Sequence, residues 1–255
     1  MLRSSEELRQ KIVRNLGSST VALFADVKRN GETRHQLVGS GSLVLVGSSH
    51  YILTAAHVWQ VIQSAPKLGY ILTDNIRHKP QIDVGAIVAT TFTPEAEEWG
   101  PDLALLRIPP VFVGGIQAYK VFDDLKAPKS PNVESLTSWV IMGTPDELAP
   151  VSIDHTAVQI SGRFVQPCLH NHGRYDYFDF EIESGSSDLP LSWGGVSGGG
   201  LWKVLVYRSR DTGKIDWVQC FKGVAFWQSS RKNGYRLLRC HGPKTITRIV
   251  RTILP

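Results

Sequence analysis

Two stretches, Val21-Ala22-Leu23-Phe24-Ala25-Asp26-Val27 and Leu37-Val38-Gly39-Ser40-Gly41-Ser42-Leu43-Val44-Leu45-Val46, decide the fold class through the Asn30-Gly31 between them. Two apolar-rich runs flank a dipeptide that takes positive φ at low cost, which is the signature of a β-hairpin. Residues 51–54 follow after the turn-like Gly47-Ser48-Ser49, and similar short runs recur at 139–142, 156–160, 175–182, 201–207 and 217–227. The last two are separated by a turn containing Asp211-Thr212-Gly213. Twenty-three glycines and fourteen prolines punctuate these runs, so the expected class is all-β, a barrel or a sandwich.

Helices are expected only at the two ends. Ser4-x-x-Glu7 reads as a capping box, and Leu8, Ile12 and Leu16 recur at four-residue spacing. Ile246, Ile249, Val250 and Ile253 make a second stripe. Packing on the chain's own body is favoured over docking of a partner for both. The polar stretch around Pro128 and Pro131 reads as a linker. The expected organisation is an N-terminal helix (1–18), a first barrel (19–124), a linker (125–135), a second barrel (136–243) and a C-terminal helix (244–255).

Composition sets outer limits. The 255 residues are 42% apolar and 20% charged, which excludes a disordered chain, a coiled coil or a collagen-like repeat. No apolar run approaches the ~20 residues of a bilayer-crossing helix, and the first residues lack a secretory apolar region, so no membrane association is expected. The net charge of +5 permits an acidic partner, yet a solvated basic surface is the simpler reading. Cys168, Cys220 and Cys240 cannot all pair and show no C-x-x-C spacing, which points to a reducing cytoplasm.

The chemistry concentrates in three segments: Tyr51-Ile-Leu-Thr-Ala-Ala-His57, Pro101-Asp102-Leu-Ala-Leu-Leu-Arg107 and Gly194-Gly-Val-Ser197-Gly-Gly-Gly200. A serine hydroxyl needs an adjacent base to become a nucleophile near neutral pH, and histidine can serve as that base. A buried carboxylate fixes the tautomer of the ring and stabilises the imidazolium as it forms. Glycines around the serine allow a tight turn whose N–H groups can face a developing oxyanion.

These segments resemble those of the chymotrypsin-like serine peptidases, and the resemblance covers most of the chain. Thr54-Ala55-Ala56-His57-Val58 is similar to the family's T-A-A-H-C, Asp102-Leu103-Ala104-Leu105-Leu106 to its D-[IL]-A-L-[LI], and Gly195-Val196-Ser197-Gly198-Gly199-Gly200 to its G-D-S-G-G-P. Gly41-Ser42-Leu43-Val44 resembles the G-S-L-I strand, and the order His, Asp, Ser is the family's. The resemblance implies two six-stranded antiparallel β-barrels with a cleft between them. It implies Ser197 as nucleophile, His57 as base and then acid, Asp102 behind His57, and the N–H groups of Gly195 and Ser197 as the oxyanion hole. Peptide-bond hydrolysis through an acyl-enzyme follows, with no metal or organic cofactor.

The sequence departs from the family pattern in several places. Val196 stands where secreted members carry the aspartate that pairs with a new Ile-Val-Gly-Gly terminus, and no such segment occurs near the start. The cleft is therefore expected to be either preformed or ordered by something else around Gly194 and Gly195. Val58 and Trp193 replace two cysteines, and Phe226 replaces the serine that commonly sits behind the aspartate. For the substrate pocket the alignment nominates Leu191, Ser192, Trp227, Gln228 and Lys244. Leu191 takes the place of a trypsin-like carboxylate, so a non-basic P1 residue is expected. An ammonium of Lys244 in the pocket would favour an acidic one, although a solvent-facing lysine at a helix start is the simpler reading.

The expected partners are a protein or peptide substrate and a regulatory or companion protein. Cys168-x-His170-x-His172 with Asp176 fits no familiar zinc spacing and is read as a surface loop. The basic tract Arg231, Lys232, Arg236, Arg239, His241 and Lys244 lacks a nucleic-acid module and is read as a solvated rim, so no nucleic-acid partner is expected. The rival reading, motivated by Phe226, Gln228 and the missing activation pair, is a catalytically weak trypsin-like module used for binding or signalling.

Overall fold

Strand pairing follows the alternation of turns and apolar runs and sorts the chain into two sheets. The structure is a computed structural model that describes residues 2–29, 32–72, 80–93, 99–125, 134–148, 160–185 and 189–253; in 2–5, 27–29 and 32–35 it describes the backbone alone. The Asn30-Gly31 turn, the Ser4 side chain of the expected capping box, most of the expected linker and residues 156–159 of one expected strand lie outside the described residues.

Helix α1 (Leu2–Gly17) precedes the first group of strands: β1 (Thr20–Arg29), β2 (Glu32–Val46), β3 (Ser49–Thr54), β4 (Lys67–Ile71), β5 (Gln81–Asp83), β6 (Val88–Phe92), β7 (Leu103–Arg107) and β8 (Asp123–Asp124). Helices α2 (Ala56–Ile62) and α3 (Pro110–Gln117) lie in its connections. The second group is β9 (Ser135–Gly143), β10 (Ser161–Val165), β11 (Cys168–His172), β12 (Tyr175–Glu183), β13 (Gly200–Arg208), β14 (Ile215–Gln228) and β15 (Tyr235–His241), followed by α4 (Pro243–Arg251).

The first sheet runs β5-β4-β1-β2-β3-β7-β6, with β8 added alongside β2, and the second runs β10-β9-β13-β14-β15-β12-β11. Arg29 pairs with Glu32, the register a two-residue hairpin turn requires. The all-β class is thus observed as two sheets whose pairings are antiparallel apart from the short β2–β8 pair. They carry eight and seven strands where the resemblance implies six each.

Two helices arise where the sequence reading expects none. Helix α2 has seven residues, no side-chain cap and a β-favouring composition rich in Val, Trp and Ile, so its propensity gives no warning. Its burial of Val58, Trp59 and Ile62 supplies what propensity does not. Helix α3 begins with Pro110 at its first turn, where the missing N–H costs nothing.

The end helices pack as the apolar stripes require, each crossing to the far half of the chain. Ile12 and Leu16 of α1 are buried with Val140, Met142, Trp202 and Val204 of the second sheet. Ile246 and Ile249 of α4 are buried with Val44, Leu53, Leu103 and Leu105 of the first, together with Val224. Truncating a fully buried leucine costs the transfer energy plus the cavity left behind, about 2–5 kcal/mol. Leu16→Ala is therefore expected to lower the unfolding free energy by about that amount in urea titration. A loss near zero would contradict the packing of α1.

Candidate active site

The antiparallel register of β3 against β7 brings His57 to Asp102. Thr54 pairs with Ala104, so the chain leaving β3 emerges beside the residue that enters β7. There the Asp102 carboxylate accepts two hydrogen bonds from His57: Oδ1 from the backbone N–H at 3.0 Å, Oδ2 from Nδ1 at 2.7 Å. Holding both the first turn of α2 and the imidazole fixes the ring plane, with Nδ1 protonated and Nε2 left as acceptor. Asp102 is 4% exposed, whereas the His57 side chain is 47% exposed and faces the solvent-filled cleft.

Ser197 comes from the other sheet, on the loop that enters β13. Glycine is obligatory at 198: φ is +89°, and a Cβ would collide with the Ser40 carbonyl and the Thr54 hydroxyl. The loop is tied in on both sides. Within the second sheet, Gly198 N–H donates to the Ala225 carbonyl at 2.7 Å and Ala225 N–H to the Gly199 carbonyl at 2.9 Å. From the first sheet, Ser40 N–H donates to the Ser197 carbonyl at 2.8 Å and the Ser40 hydroxyl to the Gly195 carbonyl at 2.7 Å. The Ser40 oxygen also accepts Thr144 N–H at 2.9 Å, while Thr54 Oγ1 donates to the Ser40 carbonyl at 2.7 Å.

The N–H groups of Gly195 and Ser197 have no acceptor among the described residues. Both residues line a cleft of about 640 Å³ together with His57, Asp102, Gly194, Phe226, Trp227 and Gln228. No hydrogen bond joins the Ser197 hydroxyl to His57 among the described residues.

Gln228 is clamped in place. Its carbonyl oxygen accepts Trp193 N–H at 3.0 Å, and its amide donates to the Ser192 hydroxyl at 3.1 Å. Beyond Trp227, the Arg239 guanidinium lies between aromatic faces, 3.7 Å from the Trp99 ring centre and 5.2 Å from that of Trp227. It forms a two-pronged pair with Asp179 at 2.8 Å on each prong. A planar cation held this way is rigid, and so is the wall it supports.

Behind Asp102 the surroundings are aromatic. His241 is fully buried and stacks on Phe226, centroids 4.0 Å apart and planes 13° from parallel. The ring lies near the Asp102 backbone carbonyl, which favours its protonated form, although neither ring nitrogen makes a hydrogen bond of good geometry among the described residues. Burial pulls its pKa down to about 3, against the weaker upward pull of Asp102 and Asp176, so the ring stays neutral. No extra positive charge therefore competes with His57 for Asp102.

Of the nominated residues, the cleft unites His57, Asp102, Ser197, Gly195, Trp227 and Gln228. Ser192 contributes from below, through hydrogen bonds with Gly194 and Gln228. Leu191 is 54% exposed and is held by its backbone alone, its side chain not among the cleft lining. Lys244 lies outside the cleft lining: it is exposed in the first turn of α4, the solvent-facing position that is the simpler reading of the sequence. The cause is Asp176, which is buried and receives the N–H groups of Lys244 and Thr245 at 3.0 and 2.7 Å, so the helix start is fixed with the lysine outward.

Two other readings change. Cys168–His172 forms strand β11, not a loop; His172 stacks on Trp99 and His170 lies 3.0 Å from Asp179. No metal-holding cluster occurs among the described residues. The basic tract is only partly a solvated rim: Arg239 is buried, while Arg236 and Arg231 donate to backbone carbonyls of Leu191, Ser229 and Ser184. Ser40, Trp99 and Glu147 escaped the sequence reading. The small residues of Gly39-Ser40-Gly41 were the one signal available, since close approach of two backbones requires them. All three cysteines are free, Cys168 exposed and the others buried.

No protein-family model matches the chain, and no curated protein sequence does. A solved structure titled "Aromatic interactions drive the coupled folding and binding of the intrinsically disordered Sesbania mosaic virus VPg protein" is similar to it. The TM-score is 0.46 and the identity 15%, over 93% of this chain and 91% of that one. No helix among the described residues is long and apolar enough to cross a membrane.

The neutral His241 makes stability depend on pH. Its folded pKa lies below its unfolded value, so the unfolded chain binds more protons between pH 6.5 and about 3, and stability falls as pH drops through that window. Asp123, raised to about 6 mainly by burial, acts in the opposite direction, so the wild-type curve is a sum. The difference between wild type and His241→Gln isolates the histidine: the wild type is expected to lose more Tm than the variant between pH 7 and pH 5. Parallel Tm curves would refute a neutral buried ring.

Proposed function

We propose that the protein is a chymotrypsin-like serine endopeptidase that cleaves peptide bonds through an acyl-enzyme. The observation that carries this reading is the Asp102-held His57 sharing one cleft with Ser197 and with the amides of Gly195 and Ser197, which have no acceptor among the described residues. Ser197 Oγ attacks the scissile carbonyl as His57 Nε2 takes its proton, and the imidazolium so formed faces the buried Asp102 carboxylate. The carbonyl oxygen, now an oxyanion, accepts hydrogen bonds from Gly195 and Ser197. His57 returns the proton to the leaving amine, and water then repeats the sequence on the acyl ester. This chemistry calls for no metal or organic cofactor.

Specificity follows from the wall. Leu191 brings no carboxylate to the pocket, and the Gln228–Ser192 hydrogen bond spans the side where glycine would leave an opening. A small or apolar P1 residue is the substrate this wall suits, and the exposed Lys244 removes the argument for an acidic one. A cytoplasmic setting with a restraining companion protein belongs to this proposal. The second reading, a weak or latent module, draws on the absence of a closed Ser197–His57 contact.

A fluorophosphonate probe separates the two. The wild type is expected to be labelled and Ser197→Ala not, with kcat for a small-P1 peptide reduced by about 10⁴-fold or more in the variant. Folded wild-type protein that takes no label, or hydrolysis retained in Ser197→Ala, would contradict the peptidase reading.

A further inference from the structure

Val196 is buried where a carboxylate would anchor the loop before the nucleophile, so this loop needs another brace. It meets one at the 3-10 turn Asp146–Leu148, which follows β9. The Glu147 carboxylate accepts the Leu191 N–H at 2.9 Å on one oxygen and the Ser192 N–H at 3.0 Å on the other. The Asp146 N–H donates to the Gly194 carbonyl at 2.8 Å. The Asp146 carboxylate packs so close to Gly194 and Gly195 that a Cβ on either would collide with it.

A trans peptide carries its C=O and N–H on opposite edges. Pinning the Gly194 carbonyl to Asp146 therefore turns the Gly195 N–H the other way, and that amide is the one left without an acceptor among the described residues. The Ser192 hydroxyl extends the constraint by accepting Gly194 N–H at 3.0 Å and the Gln228 amide. Two adjacent glycines give this peptide many alternative orientations, Gly195 already having φ of +78°.

We infer that the Asp146-Glu147 turn is a built-in brace of the oxyanion hole, with Glu147 as a positioning residue that keeps the Gly195 N–H directed into the cleft. The inference rests on the peptidase reading for its consequence, though not for its geometry. Hydrogen bonds to an ionised carboxylate are stronger than neutral ones, so Glu147 holds the loop without a newly formed chain terminus. Remove it, and the fraction of molecules with a formed hole falls, lowering acylation in proportion.

The test uses the full chain and two variants, Glu147→Ala and Glu147→Gln. Two quantities are read: the rate of fluorophosphonate labelling of Ser197, and the ¹⁵N–¹H signals of Gly194 and Gly195. Glu147→Ala is expected to label at least about tenfold more slowly, within the roughly 10²–10³-fold ceiling for losing one oxyanion donor. Glu147→Gln keeps one acceptor oxygen and is expected between the two, which a purely structural surface role would not produce. The Gly194 and Gly195 amide signals should shift or broaden in Glu147→Ala while those of β5 stay in place. Unchanged glycine amides, or labelling at the wild-type rate, would overturn the brace. A wild type that takes no label counts against the peptidase reading, and the glycine amides then decide the brace alone.

Discussion

The Ser40 peptide and hydroxyl reach from β2 of the first sheet to the Ser197 and Gly195 carbonyls of the second, at 2.8 and 2.7 Å. Every other feature of the cleft depends on this crossing, because His57 and Asp102 sit on one sheet and Ser197 on the other. The approach is possible because the residues facing each other are Gly39, Ser40 and Gly198, with Val58 and the Ser197 carbonyl already against Gly39. Buried polar groups at such a seam must all be paired, or the seam costs more than it contributes. Here the Ser40 hydroxyl both donates and accepts, to Gly195 and from Thr144, and Thr54 satisfies the Ser40 carbonyl.

The end helices reinforce the same junction from outside. Helix α1 begins the chain yet closes the core of the second sheet, and α4 ends it yet packs on the first. A chain laced in this way cannot separate its halves without exposing Ile12, Leu16, Ile246 and Ile249. The buried Asp176 fixes the start of α4 with three hydrogen bonds from Lys244 and Thr245. Apolar burial and capping thus stabilise the seam on which the geometry of the cleft rests.

The β class was legible because turn residues and apolar runs alternate along the chain, and the apolar spacing of both end helices was legible for the same reason. The His57, Asp102 and Ser197 segments were legible as candidates because nucleophilic chemistry would demand those residue types in such a setting. What escaped has a common cause. Ser40 and Glu147, which went unremarked, and Arg239, which was read as rim, act through contacts between residues far apart in sequence, and no local pattern marks such pairs. Arg239 looks like any surface arginine until Asp179, Trp99 and Trp227 surround it. The outward setting of Lys244 was legible as a helix start, but its cause, Asp176, lies nearly seventy residues earlier. Helix α2 failed on propensity and succeeds on burial, a case of tertiary packing overriding local preference.

In the proposed reaction Ser197, His57 and the amides of Gly195 and Ser197 converge on a single reacting carbonyl. The most direct measurement is a crystal structure of the protein after reaction with an organophosphonate. The expected adduct has phosphorus bonded to Ser197 Oγ, its oxygen accepting hydrogen bonds from Gly195 N–H and Ser197 N–H, and His57 Nε2 facing the vacated leaving-group side. An adduct on another residue, or a phosphonyl oxygen turned away from both amides, would contradict it.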